Sequence, residues 1–186
     1  MAYSKRYNLP YRRQREGKTN YKSRLALLKS STPRLVVRRT NKYILAQVIT
    51  YSPDGDKILV GASSQDLKKL GWSAATNNLP AAYLTGFLIG KKILHANIPG
   101  VIADFGLQKV AHQGNLYSCL KGVVDAGVSI PVREEFFPEE SRISGEHIKS
   151  YASSSASKNQ FSKTKTAAQS LPALFSKTKQ QISNGK

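Results

Sequence analysis

The sequence predicts an α/β fold: a three-stranded antiparallel meander, a crossover helix and a further strand. Three observations predict it. RLVVRR (34–39), NKYILAQVITY (41–51) and DKILVGAS (56–63) are closely spaced runs of strand-forming residues, the last two joined by the turn sequence SPDG (52–55). NNLPAAYLTGFLIGKKILHANIPG (77–100) carries the punctuation of one long helix, with Asn77 or Asn78 as cap, Pro80 in the first turn and Pro99 beyond the end. VIADFG (101–106) is then a short buried-type strand, reached by crossing the sheet.

The smaller elements follow from the same signals. In a basic arm, residues 1–33, Asn20 is placed to cap a short helix over 21–29, with Tyr21, Leu25 and Leu28 forming one apolar docking stripe. SQDLKKLGW (64–72) reads as a short helix stopped at Gly71, and LYSCLKGVVDAG (116–127) as a helix closed by Gly127. Gly86 and Gly90, four apart in the apolar helix, predict close packing against the sheet. The span is too short for a membrane dimer motif, which needs ~20 apolar residues. A last helix runs from about Glu139 to Tyr151, completing a core domain over 34–151. Residues 152–186 are rich in Ser, Lys, Thr, Ala and Gln, with isolated apolar residues such as Phe161, Leu174 and Phe175. Such an extension is expected to be disordered unless bound.

Charge bounds the function. The 186 residues contain 29 Lys and Arg against 11 Asp and Glu, a formal net charge of +18. A field of this sign draws in polyanions and depends on salt. Cys119, the single cysteine, excludes an intramolecular disulfide and Cys-rich zinc patterns; it is expected as a small buried residue of its helix. The N-terminus is basic but lacks the apolar core of a signal peptide, so the expected compartment is reducing and cytoplasmic.

Catalytic constellations fail one by one. DFG (104–106) stands without the glycine-rich loop, strand lysine and catalytic loop of a kinase, and reads as an Asp at a strand end before a turn. The strand order is the opening topology of ribonuclease-H-like nucleases, which gather carboxylates around two metal ions. Here the first strand is basic and the long helix has no acid, leaving Asp104 alone with Asp125 the only further candidate. His95, His112 and His147 show no paired ligand spacing, and EEFFPEE (134–140) reads as a solvated loop and helix start. No enzyme activity, metal, cofactor, membrane or small-molecule substrate is implied.

The basic constellation is the strong signal. YNLPYRRQREGKTNYKSRLALLKS (7–30) carries Arg12, Arg13, Arg15, Lys18, Lys22, Arg24 and Lys29 against one acid, Glu16. The arm interleaves its cations with Tyr3, Tyr7, Tyr11 and Tyr21. Guanidinium forks grip phosphates, and both tyrosine rings and guanidinium planes stack on unpaired bases, so the mixture points to RNA. RRTNK (38–42) adds a second cluster at a strand-to-strand turn.

RYNLPYRRQREGKTNYKSRLALLKS, PRLVVRRTNKYILAQ, GWSAATNNLPAAYLTGFLIGKK and RISGEHIKSYA, in this order, resemble the large-subunit ribosomal protein L-eighteen family in its archaeal form, over roughly residues 1–152. The resemblance implies a non-catalytic ribonuclease-H-like fold. It also implies a structural protein that binds 5S ribosomal RNA and attaches it to large-subunit RNA in the central protuberance, beside neighbouring ribosomal proteins. Carried over by position, the RNA-facing residues are Arg6, Tyr7, Arg12, Arg13, Arg15, Lys18, Thr19, Tyr21 and Arg24 in the arm, with Arg38, Thr40, Asn41 and Lys42. Thr76, Asn77 and Tyr83 fall in a further motif, which helix capping by Asn77 and packing of Tyr83 explain equally well. The alternatives are an RNA chaperone or assembly factor outside the ribosome and a metal-dependent nuclease of the same topology.

Overall fold

The computed structural model describes residues 8–153 and 168–184. The elements in chain order are α1 (Arg12–Arg15), α2 (Tyr21–Leu28), β1 (Arg34–Arg39), β2 (Ile44–Thr50), β3 (Lys57–Ser63), α3 (Leu79–His95), β4 (Ile102–Asp104), α4 (Asn115–Asp125), α5 (Glu140–Ser144), α6 (Glu146–Ser153) and α7 (Leu171–Ser183). A short 3₁₀ turn, Asp66–Leu70, links β3 to α3. The sheet order is β3-β2-β1-β4, with β1 antiparallel to β2, β2 antiparallel to β3, and β4 parallel to β1. The molecule is a mixed α/β structure on an open four-stranded sheet.

Alternation along the strands sorts the side chains. Leu35 and Val37 of β1 pair in register with Val48 and Ala46 of β2, and all four are buried under α3 and α4 with Ile89, Ile93, Leu120 and Val123. Arg34, Val36 and Arg38 alternate with them and point to the opposite face, where α2 lies. α3 is apolar on nearly all sides because both of its sides are covered. The sheet and α4 take one, while Tyr83, Leu84 and Phe87 pack with Trp72, Ile143, Leu171 and Phe175 on the other. Asn78 caps α3, its Oδ1 accepting from the Ala81 N–H at 2.9 Å.

Gly86 and Gly90 do mark close packing, but against α4 rather than the sheet. A Cβ at Gly86 would strike the Cys119 carbonyl, one at Gly90 would lie 2.5 Å from the Ala126 methyl, and Gly122 of α4 meets the α3 backbone in return. The two backbones cross nearly in contact, and only residues without side chains fit there. Gly86→Ala is therefore expected to destabilise at the upper end of the ~1–3 kcal/mol typical of overpacking, since the obstacle is backbone. Urea unfolding of the two proteins measures it.

Two expectations about the C-terminal region change. The single helix expected from Glu139 to Tyr151 is broken into α5 and α6 at Gly145, whose φ is +85°. That left-handed residue lies against Leu171 and Pro80, so the break makes a seat for α7. The extension expected to be disordered carries α7, packed on α3 through Leu171, Phe175, Thr178 and Ile182. Phe175 meets the Tyr83 ring at 5.4 Å, and the Lys179 ammonium lies 5.0 Å from the same ring's centroid. Those apolar residues recur at helical spacing, and α3 supplies the surface that offsets the ordering entropy.

Candidate nucleic-acid interface

The arm folds locally for readable reasons. Asn20 caps α2, accepting from the Ser23 N–H at 3.1 Å. Tyr11 and Tyr21 pack at 5.1 Å between centroids, drawing α1 against the start of α2. The expected stripe does not dock the helix, however: Leu25 is 59% exposed. Charge holds α2 instead. Arg24 donates from Nη2 to both oxygens of Asp56 at 2.8 Å, and Asp56 lies between the SPDG turn and the first residue of β3.

This contact is one end of a chain of ion pairs. Arg34, 2% exposed on the outer side of β1, donates to Asp56 and to Asp104, both at 2.8 Å. Arg38 donates to the Asp104 carbonyl at 2.8 Å and approaches its carboxylate at 3.4 Å. The sequence Arg24–Asp56–Arg34–Asp104–Arg38 thus ties the arm, the meander and β4 together. Asp104, the Asp of the DFG triplet, balances two guanidinium groups, and among the described residues no group of three or more His, Cys, Asp or Glu side chains is gathered to hold a metal ion. Asp125 is engaged elsewhere, by the Tyr83 hydroxyl at 2.8 Å and Lys121 at 3.2 Å.

Burial alone would raise the Asp56 pKa, but the hydrogen bonds and charges of Arg24 and then Arg34 outweigh it and hold the carboxyl below its usual value. A depressed folded-state pKa contributes stability that is present above the unfolded value, near 3.8, and lost as pH falls through the lower folded one. Docking of α2 is therefore expected to survive at pH 5 and to loosen only in stronger acid, read as faster amide exchange over residues 21–28.

The residues carried over from the resemblance divide into two groups. Arg12, Arg13, Arg15 and Lys18 are exposed on α1 and the turn after it; Glu16 pairs Lys18 at 2.8 Å and Arg12 at 3.4 Å, and Arg13 donates to Thr19 at 3.0 Å. Tyr21 is half-buried against Tyr11. Asn41 and Lys42 are exposed at the tip of the β1–β2 turn. These side chains stand ready for a polyanion. Arg24, Arg38 and Thr40 have structural work: the arginines hold the ion-pair chain, and the Thr40 hydroxyl closes the turn on the Tyr43 carbonyl at 2.8 Å. Arg6 and Tyr7 lie outside the described residues.

Thr76 and Asn77 brace that turn from below. The Thr76 hydroxyl donates to the Lys42 carbonyl at 2.6 Å and the Asn77 amide to the Asn41 carbonyl at 3.2 Å. Tyr83 is a core residue. Unforeseen from the sequence were Arg34 and Asp56, and the loop after β4. Gln108 in that loop pairs with the Arg39 backbone in both directions, at 2.7 and 3.0 Å, and lines the smaller of two clefts. The larger, of about 600 Å³, lies between α2 and the outer sheet face. The smaller, about 420 Å³, is bordered by Arg39, Asn41, Lys109 and Asn115.

A family described as "Ribosomal large subunit proteins 60S L5, and 50S L18" matches residues 5–102, the span from the arm to β4. The chain is also 49% identical over 152 residues to the large ribosomal subunit protein uL18 of Korarchaeum cryptofilum (strain OPF8), covering 82% of this chain and 78% of that relative. The chain belongs to the uL18 family of large-ribosomal-subunit proteins. Membership makes it a structural, RNA-binding component of the large ribosomal subunit, working in translation as part of a ribonucleoprotein. As in any uL18 protein, its partners are ribosomal RNA and other large-subunit proteins.

Proposed function

We propose that the protein binds 5S ribosomal RNA and attaches it to large-subunit ribosomal RNA in the central protuberance, in the cytoplasm. The observation that carries this reading is the arm: R-R-x-R-E-G-K-T-x-Y, with Arg12, Arg13, Arg15 and Lys18 exposed on a support fixed to the core through Arg24. Phosphate contacts from these side chains fix register, while RNA shape and a few base contacts supply specificity. The β1–β2 turn, with Asn41 and Lys42, grips the same RNA. The ribonuclease-H-like arrangement serves as a rigid support without catalysis, since its strand carboxylate is committed to arginine.

Affinity for 5S RNA against excess transfer RNA, measured across a salt series, tests this. Full-length protein is expected to prefer 5S RNA at moderate salt. A variant lacking residues 1–19 loses six cations, Lys5, Arg6, Arg12, Arg13, Arg15 and Lys18, yet keeps the Arg24 anchor. With about six phosphate contacts, wild-type affinity falls by ~10³ between 50 and 200 mM salt, and the deletion flattens that dependence. Equal affinity of the two proteins assigns the arm to a different contact.

A further inference from the structure

The cleft between α2 and the outer sheet face has two chemically distinct parts. Its cationic part contains Arg13, Lys18 and Arg24, with Arg34 and Arg38 deeper in the wall. Two carboxylates, Asp56 and Asp104, face these five cations, so the lining carries an excess of three positive charges. Its apolar part consists of Val36 and Ile49 from the sheet, Leu27 from α2, and Leu107 and Val110 from the loop after β4. Leu107 is 54% and Val110 39% exposed, at a place where the fold gains nothing from exposed apolar groups. The buried Arg34 Nε has no hydrogen-bond partner among the described residues, although each terminal nitrogen of that guanidinium donates to a carboxylate.

A duplex backbone needs only the cations. An apolar floor beside them suits a group that is anionic at one end and flat and apolar at the other. The cleft volume of about 600 Å³ also lies among those of small-ligand sites, ~300–1,000 Å³. We infer that this cleft receives a single unpaired nucleotide of the bound RNA, its base against Val36, Ile49 and Leu107 and its phosphate against Arg13 and Lys18. The inference rests on the 5S reading and deepens it. α2 forms one wall of the cleft, so the Arg24–Asp56 pair sets its width, and the loop carrying Leu107 and Val110 forms the other wall. An RNA without an unpaired nucleotide at the matching position fills only the cationic part.

Filling the cleft without touching a cation tests this. Ala26→Trp closes it from α2 and Val110→Trp from the loop; both residues line the cleft and are exposed, so neither change disturbs the core. Melting curves establish that each variant is folded, and two variants on opposite walls guard against a local defect in one. Each is expected to lose roughly 10- to 100-fold in 5S affinity, the range for one stacked base, with an unchanged salt slope. One unpaired nucleotide, protected from 2′-hydroxyl acylation in the wild-type complex, becomes reactive with both. In contrast, Arg13→Ala and Lys18→Ala each lower the slope by about 1. Wild-type affinity and protection in both tryptophan variants overturn the inference while leaving 5S binding intact. A reduced slope in either overturns it too, because the arm has then been displaced rather than the cleft filled. If wild-type protein shows no preference for 5S over transfer RNA, the 5S reading itself falls and takes this inference with it.

Discussion

Phe175→Ala is expected to lower the melting temperature by about 6–12 °C, although Phe175 lies in a segment with the composition of a solubilising tail. The residue is buried in the second core cluster and tilts against the Tyr83 ring at 5.4 Å. Truncating a buried phenylalanine removes its transfer free energy and leaves a cavity, together about 3 kcal/mol or more. In a chain of this size each kcal/mol moves the midpoint by roughly 2–4 °C. Leu171→Ala acts in the same direction, because Leu171 fills the seat formed by Gly145 and Pro80. Removal of residues 154–186 exposes Tyr83, Leu84 and Phe87 together, and that protein is expected to be less stable than either point variant. If Phe175→Ala melts with the wild type, α7 does not hold the fold together. Calorimetry on these proteins suffices, with no RNA present.

Asp104→Ala is expected to cost about 3–5 kcal/mol, the range for removing one partner of a buried ion pair. The Arg34 side chain is 3% exposed, and it would keep only Asp56 as counter-charge. Arg38 would lose its longer contact to the carboxylate but keep its bond to the Asp104 carbonyl, so the loss falls on the buried charge balance rather than on the β1–β4 pairing. Arg34→Met paired with Asp104→Leu should recover part of the loss, since an apolar pair of similar size needs no compensation. Chemical denaturation of the single and double variants measures both. The same carboxylate separates a support from a nuclease: Asp104→Asn should leave 5S binding close to wild type with magnesium present or absent. A magnesium-dependent cleavage abolished by Asp104→Asn would contradict the structural role.

The elements show where sequence pattern suffices. The caps at Asn20 and Asn78, the strand over Arg34–Arg39 and the stop at Gly71 are local events, each decided within four or five residues of chain. Cys119 is wholly buried, and burial pushes its thiol pKa up to about 12, in keeping with an unreactive helix residue. The docking of α2 was not legible in this way. Tyr21, Leu25 and Leu28 look like an apolar stripe, but the helix lies against a sheet face that offers arginine and aspartate, and Arg24 decides its orientation. Composition also misled at α7. Serine and lysine dominate its sequence, yet Leu171, Phe175 and Ile182 stand at helical spacing and find an apolar surface more than 70 residues earlier in the chain.

The candidate interface divides along the same line. Charge and residue type alone marked Arg12, Arg13, Arg15 and Lys18, because a dense cationic arm with tyrosines has no use in folding and a clear one against RNA. The same reasoning could not separate them from Arg24 and Arg38, which look identical in sequence and are bound to aspartates in space. Arg34 meets Asp104 across 70 residues of sequence, so no local signal announces the pair. By itself the sequence determined the four strands, the two long helices of the core, the family and the anionic partner, since these depend on periodicity, composition and ordered motifs. Only the tertiary structure decided which arginines are exposed and which are tied to aspartate, where the cleft opens and that the C-terminal helix belongs to the core, because ion pairing and burial are properties of neighbours in space.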